Sequence, residues 1–187
     1  YYRPTWPTEY KLQSVMMAWN DYLYTGNAES LREHYEVLKT KTLEAFITND
    51  YLVKKPPDVG GRYGRDLVDW PRSQRDNYKF TKVNTVVNLF NFKAIELLGK
   101  IAHVLGQQED AAAYQALASQ LREAINRHLY DATAQRFKDG QTANHFSQHA
   151  SAFALALGVA EPAVIDAVAS YVAERGMSMS VYGAQFL

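Results

Sequence analysis

Residues 80–129 read FTKVNTVVNLFNFKAIELLGKIAHVLGQQEDAAAYQALASQLREAINRHL, and this stretch decides the fold class. Val83, Val87, Phe90, Ala94, Leu97, Leu98, Ile101 and Leu105 recur at three- and four-residue steps, which lays them on one helix face. Gly106 interrupts the pattern. A second stripe then runs through Ala113, Leu117, Leu121, Ile125 and Leu129. The spacing predicts helices over about 80–105 and 109–129, turned back on each other at the glycine.

The same grammar extends in both directions. Upstream, Leu12, Val15, Met16, Trp19 and Leu23 form a stripe that stops at Gly26. Asn27 is placed to cap a following helix whose stripe includes Leu31, Tyr35, Leu38 and Phe46. Downstream, a helix is expected over about 146–157 and ends at Gly158. Pro162 suits the first turn of a sixth, which runs to about Arg175 and stops at Gly176. A seventh begins near Val181, and a short β excursion is expected at 134–137. The junctions at Gly26, Gly106 and Gly158 share a device: each glycine stop is followed three residues later by Glu29, Glu109 or Glu161, where the next helix dipole favours negative charge. The glycines are 80 and then 52 residues apart, so this is no solenoid of fixed period. An all-α toroid of antiparallel hairpins is expected.

Composition narrows the function. The chain has 187 residues, no cysteine, and 20 Lys+Arg against 20 Asp+Glu. A neutral balance argues against a nucleic-acid partner. No apolar run reaches the roughly 18 residues of a membrane span. Without cysteine there is no disulfide, thiol nucleophile or zinc-thiolate site. Aromatics are abundant, with 13 Tyr, 8 Phe and 3 Trp, so the expected sites are those that use rings. The chain begins at Tyr1 and stops at Leu187 inside an apolar run, and it reads as one partial domain, 1–187, cut at both ends.

One segment departs from the helical period. From about 49 to 79 the chain carries Pro56, Pro57, Gly60, Gly61, Gly64 and Pro71 together with Tyr63, Trp70 and Tyr78. Long loops that keep aromatic residues are usually functional. Within it, Asp69-Trp70-Pro71-Arg72-Ser73-Gln74-Arg75-Asp76 offers an indole face for the C–H surface of a sugar, and carboxylate and guanidinium groups for its hydroxyls. The competing reading is a loop anchored by a buried Trp70 and surface ion pairs. Trp6-Pro7-Thr8-Glu9 places a second indole and acid before the first helix, or serves as a plain helix start with Thr8 as cap. His145 and His149 are four apart, yet no zincin-type acid lies between them and no third ligand is evident. His149 contacting a ligand at a helix start is the preferred reading. No nucleophile elbow, phosphate-binding loop or dinucleotide fingerprint is present.

Four stretches, Pro4-Thr5-Trp6-Pro7-Thr8-Glu9, Asp69-Trp70-Pro71 with Arg75-Asp76, Val83-Asn84-Thr85-Val86-Val87-Asn88 and Ser180-Val181-Tyr182-Gly183-Ala184-Gln185-Phe186, together resemble bacterial alpha-L-rhamnosidases of glycoside hydrolase family seventy-eight. The resemblance spans essentially the whole chain. It implies about half of an (α/α)6 toroid, the six-hairpin catalytic barrel, and inverting removal of terminal alpha-L-rhamnose from glycosides or polysaccharides without metal or cofactor. Inversion needs an acid and a base roughly 6.5–9.5 Å apart. The resemblance puts the acid before the stretch matching Trp6 and the base well after Gln185, so no catalytic residue is assigned within this chain. It implies that Trp6, Glu9, Asp69, Trp70, Arg75, Asp76, His149 and Tyr182 wall the sugar subsite. Gln74 departs from the pattern, since relatives often carry an acid there. The chain alone is expected to be inactive and, through the apolar end at Phe186-Leu187, to self-associate.

Two other readings fit the residues. One is a non-catalytic helical-repeat module that binds a protein; its connectors would be short and alike, which the long aromatic loop is not. The other is another carbohydrate-active toroid enzyme, a different glycosidase or a lyase, and for a lyase Arg62, Tyr63, Arg65, Arg72 and Arg75 would serve an acidic sugar.

Overall fold

The computed structural model describes residues 7–55 and 66–187. Among the described residues there are seven α-helices: α1 (Thr8–Thr25), α2 (Glu29–Lys39), α3 (Thr85–Val104), α4 (Gln108–Leu129), α5 (Gln148–Ala156), α6 (Ile165–Glu174) and the short α7 (Val181–Ala184). Among the described residues the one sheet is a two-stranded antiparallel ladder of β1 (Tyr130–Asp131) and β2 (Arg136–Phe137), pairing Tyr130 with Phe137 and Asp131 with Arg136. The later half of the expected β excursion is β2. No described helix is long and apolar enough to cross a membrane.

α3 packs against both α1 and α5, and α1, α3 and α5 are each paired with the helix that follows. The result is an arc of antiparallel hairpins, consistent with part of an all-α six-hairpin toroid. The glycine stops after α1, α3 and α5 sit at φ of 68°, 77° and 75°, the left-handed cap conformation that glycine adopts without steric penalty.

Burial follows the periodicity. α3 lies at the centre and is enclosed along most of its length, so polar Asn88 and Asn91 are buried beside Leu89, Phe90, Leu98 and Ile101. α4 keeps one face on the core through Leu121, Ile125 and Leu129 and leaves the other in water. The core reaches across hairpins where Phe90, Phe153 and Phe186 meet edge to face, with ring centroids 4.7–5.8 Å apart. Fully burying a ring, as for Phe90 and Phe153, contributes roughly 1.5–3 kcal/mol.

Several boundaries differ from the sequence expectation: Pro162 opens a separate 3-10 turn, Pro162–Val164, and α6 begins only at Ile165; two others differ where tertiary hydrogen bonds outweigh local pattern. α3 begins at Thr85 rather than near Phe80, since the Asn84 side chain caps it by accepting the Val87 N–H at 3.4 Å. The residues before the cap are occupied elsewhere: Lys79 N–H donates to the Asp139 carboxylate at 2.8 Å, and Asn84 forms a bridge with Gly140. Phe46 lies in a separate 3-10 turn, not in α2. Its segment is tied to α3, where Asn91 accepts the Leu43 N–H at 2.8 Å and Asn88 accepts that of Val53 at 2.7 Å. The seventh helix covers only Val181–Ala184 of the expected 181–187.

Candidate functional site

The hydrogen bonds of segment 66–84 draw the N-terminal ends of α1, α3, α5 and α7 to one end of the molecule. Helix starts present unpaired N–H groups and a positive dipole end, and both favour anions. Five carboxylates gather there, and three of them, Asp69, Asp76 and Asp139, accept an N–H at a helix start. Asp66 accepts from Thr8 Oγ1 at 3.0 Å, from Asn84 Nδ2 at 2.9 Å and from Lys55, joining α1 to α3. Asp139, fully buried, takes the Lys79 and Ser147 N–H groups at 2.8 Å each and lies 2.6 Å from His145 Nδ1, joining the start of α3 to α5. Asp76 accepts the Gln148 N–H at 2.8 Å and pairs with Arg175. Glu9 and Asp69 complete the set.

Asp69 is the junction of three segments. It is 0% exposed. One oxygen accepts the Trp70 N–H at 2.7 Å and the Ser180 hydroxyl; the other accepts the Ser180 N–H at 2.9 Å and lies 2.8 Å from His149 Nε2. Burial raises the carboxyl pKa, but the Ser180 hydroxyl and amide, His149 and the Trp70 amide together bring it below the ordinary value. Burial pushes His149 down despite the neighbouring Asp69 charge, which keeps the ring neutral with its Nε2 proton toward Asp69. Ser180 in turn caps α7 by accepting the Tyr182 N–H at 3.1 Å. Gly183 is required by close approach: a Cβ there would stand 2.7 Å from Asp69 Oδ2.

Glu9 clamps the same loop from the other side. Its carboxylate is 1% exposed and accepts the Leu67 N–H at 3.0 Å and the Val68 N–H at 2.9 Å. Burial, then the nearby Asp66 charge, push its pKa up to about 7 against the pull of those amides. Between the two clamps, Val68 holds φ of 62°, a left-handed conformation that is strained for a β-branched residue.

The structure brings most of the expected site residues together. Trp70 is 66% exposed, so it is not the buried anchor of the competing reading; the loop is anchored instead by its carboxylates and by buried Val68 and Tyr78. Arg75 donates Nε–H to the Asp69 carbonyl at 2.5 Å and lies over the Phe80 ring. Arg75 and Tyr182 both feel the charges of Glu9 and Asp69, and Tyr182 accepts from Gln13 of α1. Burial raises the Tyr182 pKa. Asp76 reaches from the loop to the start of α5 at Gln148, and His149, in the first turn of α5, faces Asp69. His145 precedes α5 rather than lying on it, so the two histidines do not share a helix face. Among the described residues, no cluster of three His, Asp or Glu is arranged to hold a metal. Trp6 and the Arg62, Tyr63 and Arg65 group lie outside the described residues.

Asp66 and Asp139 were not singled out from sequence, Tyr78 only as one of the loop's aromatic residues, and Asn84 not as an individual residue. The Tyr78 hydroxyl donates to the Asp139 carbonyl at 2.6 Å and lies 2.7 Å from Asn84 Oδ1. The available signals were modest: Asn84 three residues before Val87 in cap position, and Asp139 before Gly140 in what reads as an ordinary turn.

A family model described as the bacterial alpha-L-rhamnosidase six-hairpin glycosidase domain matches residues 3–183. Among solved structures, the chain resembles a GH78 family rhamnosidase of Bacillus sp. GL1, with a TM-score of 0.79 and 21% identity over 96% of this chain and 19% of that one. It also resembles a rhamnosidase from Klebsiella oxytoca with rhamnose bound, with a TM-score of 0.73 and 14% identity over 92% of this chain and 31% of that one. A Streptomyces avermitilis alpha-L-rhamnosidase complexed with L-rhamnose gives 0.58 and 18% over 80% of this chain and 12% of that one. At these identities the likeness shows the fold. The chain thus spans less than a third of each of these proteins. No curated protein sequence matches.

Proposed function

Because this chain belongs to the bacterial alpha-L-rhamnosidase six-hairpin glycosidase family, we propose that it supplies part of the wall of a rhamnose subsite in a glycoside hydrolase. The substrate is a glycoside or polysaccharide ending in alpha-L-rhamnose, and the reaction is hydrolysis with inversion. The observation that carries this reading is Trp70: a large apolar ring, 66% exposed, on a loop tied to the starts of α1, α5 and α7 through the carboxylates of Glu9, Asp76 and Asp69. An open indole face of this kind can stack on the apolar C–H face of a sugar, and its backbone N–H is held by Asp69. Trp6, Arg75, Asp76 and Tyr182 complete the proposed wall, while Glu9, Asp69 and His149, which are enclosed, back it from behind rather than face the sugar.

The acid and base of an inverting pair fall, by family resemblance, in segments outside this chain. Residues 1–187 alone are therefore proposed to bind but not to turn over. The apolar groove of about 360 Å³ between Leu155, Val172, Phe186 and Leu187 favours self-association.

The test is Trp70→Ala in the complete protein. KM for an aryl alpha-L-rhamnoside should rise about tenfold or more, equivalent to about 1.4 kcal/mol or more. Stability should hardly change, because an exposed side chain away from special features costs within about 0.5 kcal/mol. The first-formed sugar, followed by NMR, should be the beta anomer. Unchanged kinetics in a stable variant would return Trp70 to a structural role.

A further inference from the structure

We infer that Asp69 is a positioning residue, which aims the Trp70 indole at the sugar by locking the backbone of residues 67–70 to α7. This deepens the proposed rhamnose subsite and rests on that reading. Three observations carry it. Asp69 is enclosed, with both oxygens already engaged by Trp70, Ser180 and His149. A carboxylate placed to hold ring hydroxyls would keep lone pairs facing the open site, and this one has spent them on protein donors. The Trp70 ring itself is exposed, so packing holds it little, and the backbone sets where its Cα–Cβ bond starts and points. The backbone on that side is strained: Val68 sits at φ of 62° directly before Asp69, with its N–H held by Glu9. Such a conformation persists only where its surroundings over-determine it, and it marks a segment preorganised for use.

The second end of the lock is Ser180. Its hydroxyl donates to Asp69 and accepts the N–H groups of Tyr182 and Gly183, so one side chain links the loop to the first turn of α7. Trp70 and Tyr182 are thereby indexed to the same carboxylate. His149 closes the lock from α5, with a neutral ring that donates without adding charge.

The experiment uses the complete protein labelled with fluorotryptophan, with the Trp70 fluorine resonance assigned by its loss in Trp70→Phe. In Asp69→Asn, which keeps size but replaces one acceptor oxygen with a donor, the Trp70 resonance should shift and narrow as the indole loosens. KM for an aryl alpha-L-rhamnoside should rise about tenfold, the scale of one lost hydrogen bond to a charged group, with kcat kept within about twofold. Ser180→Ala should move both readouts the same way by less, and Ser180→Thr, which restores the hydroxyl, should return them toward the parent. If Asp69→Asn does not fold, the Ser180 pair decides by the same measurements. A folded Asp69→Asn with an unmoved Trp70 resonance overturns the inference. A raised KM with an unmoved resonance also overturns it, because Asp69 would then touch the sugar itself. A moved resonance with unchanged KM leaves the positioning role standing and removes the rhamnose subsite instead.

Discussion

The α3–α4 hairpin and the segment 66–84 are neighbours in the chain, yet they are held by opposite means. The hairpin is held by apolar side chains without strict direction, and Phe90, Leu98, Ile101, Leu121 and Ile125 are all buried there. The segment is held by Glu9, Asp66, Asp69, Asp76 and Asp139, each accepting from donors at fixed angles. Apolar packing is roughly proportional to area and tolerates repacking at constant volume. Hydrogen bonds to enclosed carboxylates fix a single geometry, and they lose it when a partner or a proton changes. The scaffold therefore supplies stability, while the loop supplies placement.

The largest expected effect tests the apolar side of this contrast. Phe90→Ala removes a fully buried ring that touches Phe153 and Phe186, and should cost about 3–5 kcal/mol. The loss, read from urea denaturation, should be nearly the same at both ends of the range from about pH 5 to pH 8, because no titratable group is removed. A loss that varied strongly with pH would blur the contrast.

The next effect tests the polar side. Glu9 has its pKa raised from 4.5 to about 7, so between those values the folded state binds a proton that the unfolded chain has released. Stability contributed by this group is present at low pH, falls as pH rises through that window, and is level above it. The limit is about 3 kcal/mol, from about 1.36 kcal/mol per pH unit of displacement. Glu9→Gln should flatten the fall. Asp69 works in the opposite sense: its lowered pKa adds stability above the ordinary carboxylate range, which is lost as pH drops through the folded value. The two contributions therefore separate along the pH axis. A parent protein whose urea midpoint is level from about pH 5 to pH 8 would show that Glu9 is not the proton-sensitive clamp.

The smallest effect sharpens the boundary between the two regions. Ser147 caps α5, accepting the Ala150 N–H at 3.3 Å, while its own N–H goes to Asp139. Ser147→Ala removes the cap and leaves the Asp139 bond, so it should cost about 1 kcal/mol in thermal or urea unfolding. A much larger loss would mean that the helix start and the carboxylate belt form one cooperative unit.

Sequence alone determined the class and order of the helices, their glycine stops, and the loop that carries the exposed indole. These are local matters: a stripe such as Val83 to Leu105 has one periodicity that buries it, and Gly106 and Gly158 suit left-handed caps whatever surrounds them. Sequence also grouped Asp69, Trp70, Arg75 and Asp76, because they are adjacent in the chain. Only the tertiary structure decided what the carboxylates face. Asp69 meets Ser180 after 111 residues, Asp76 meets Gln148 after 72, and Asp139 meets Lys79 after 60. Nothing in the periodicity of either partner encodes such a meeting. Hydrophobic burial arranges the hairpins, and the hydrogen bonds of segment 66–84 then tie helix starts together, with Asp69, Asp76 and Asp139 taking the Ser180, Gln148 and Ser147 N–H groups.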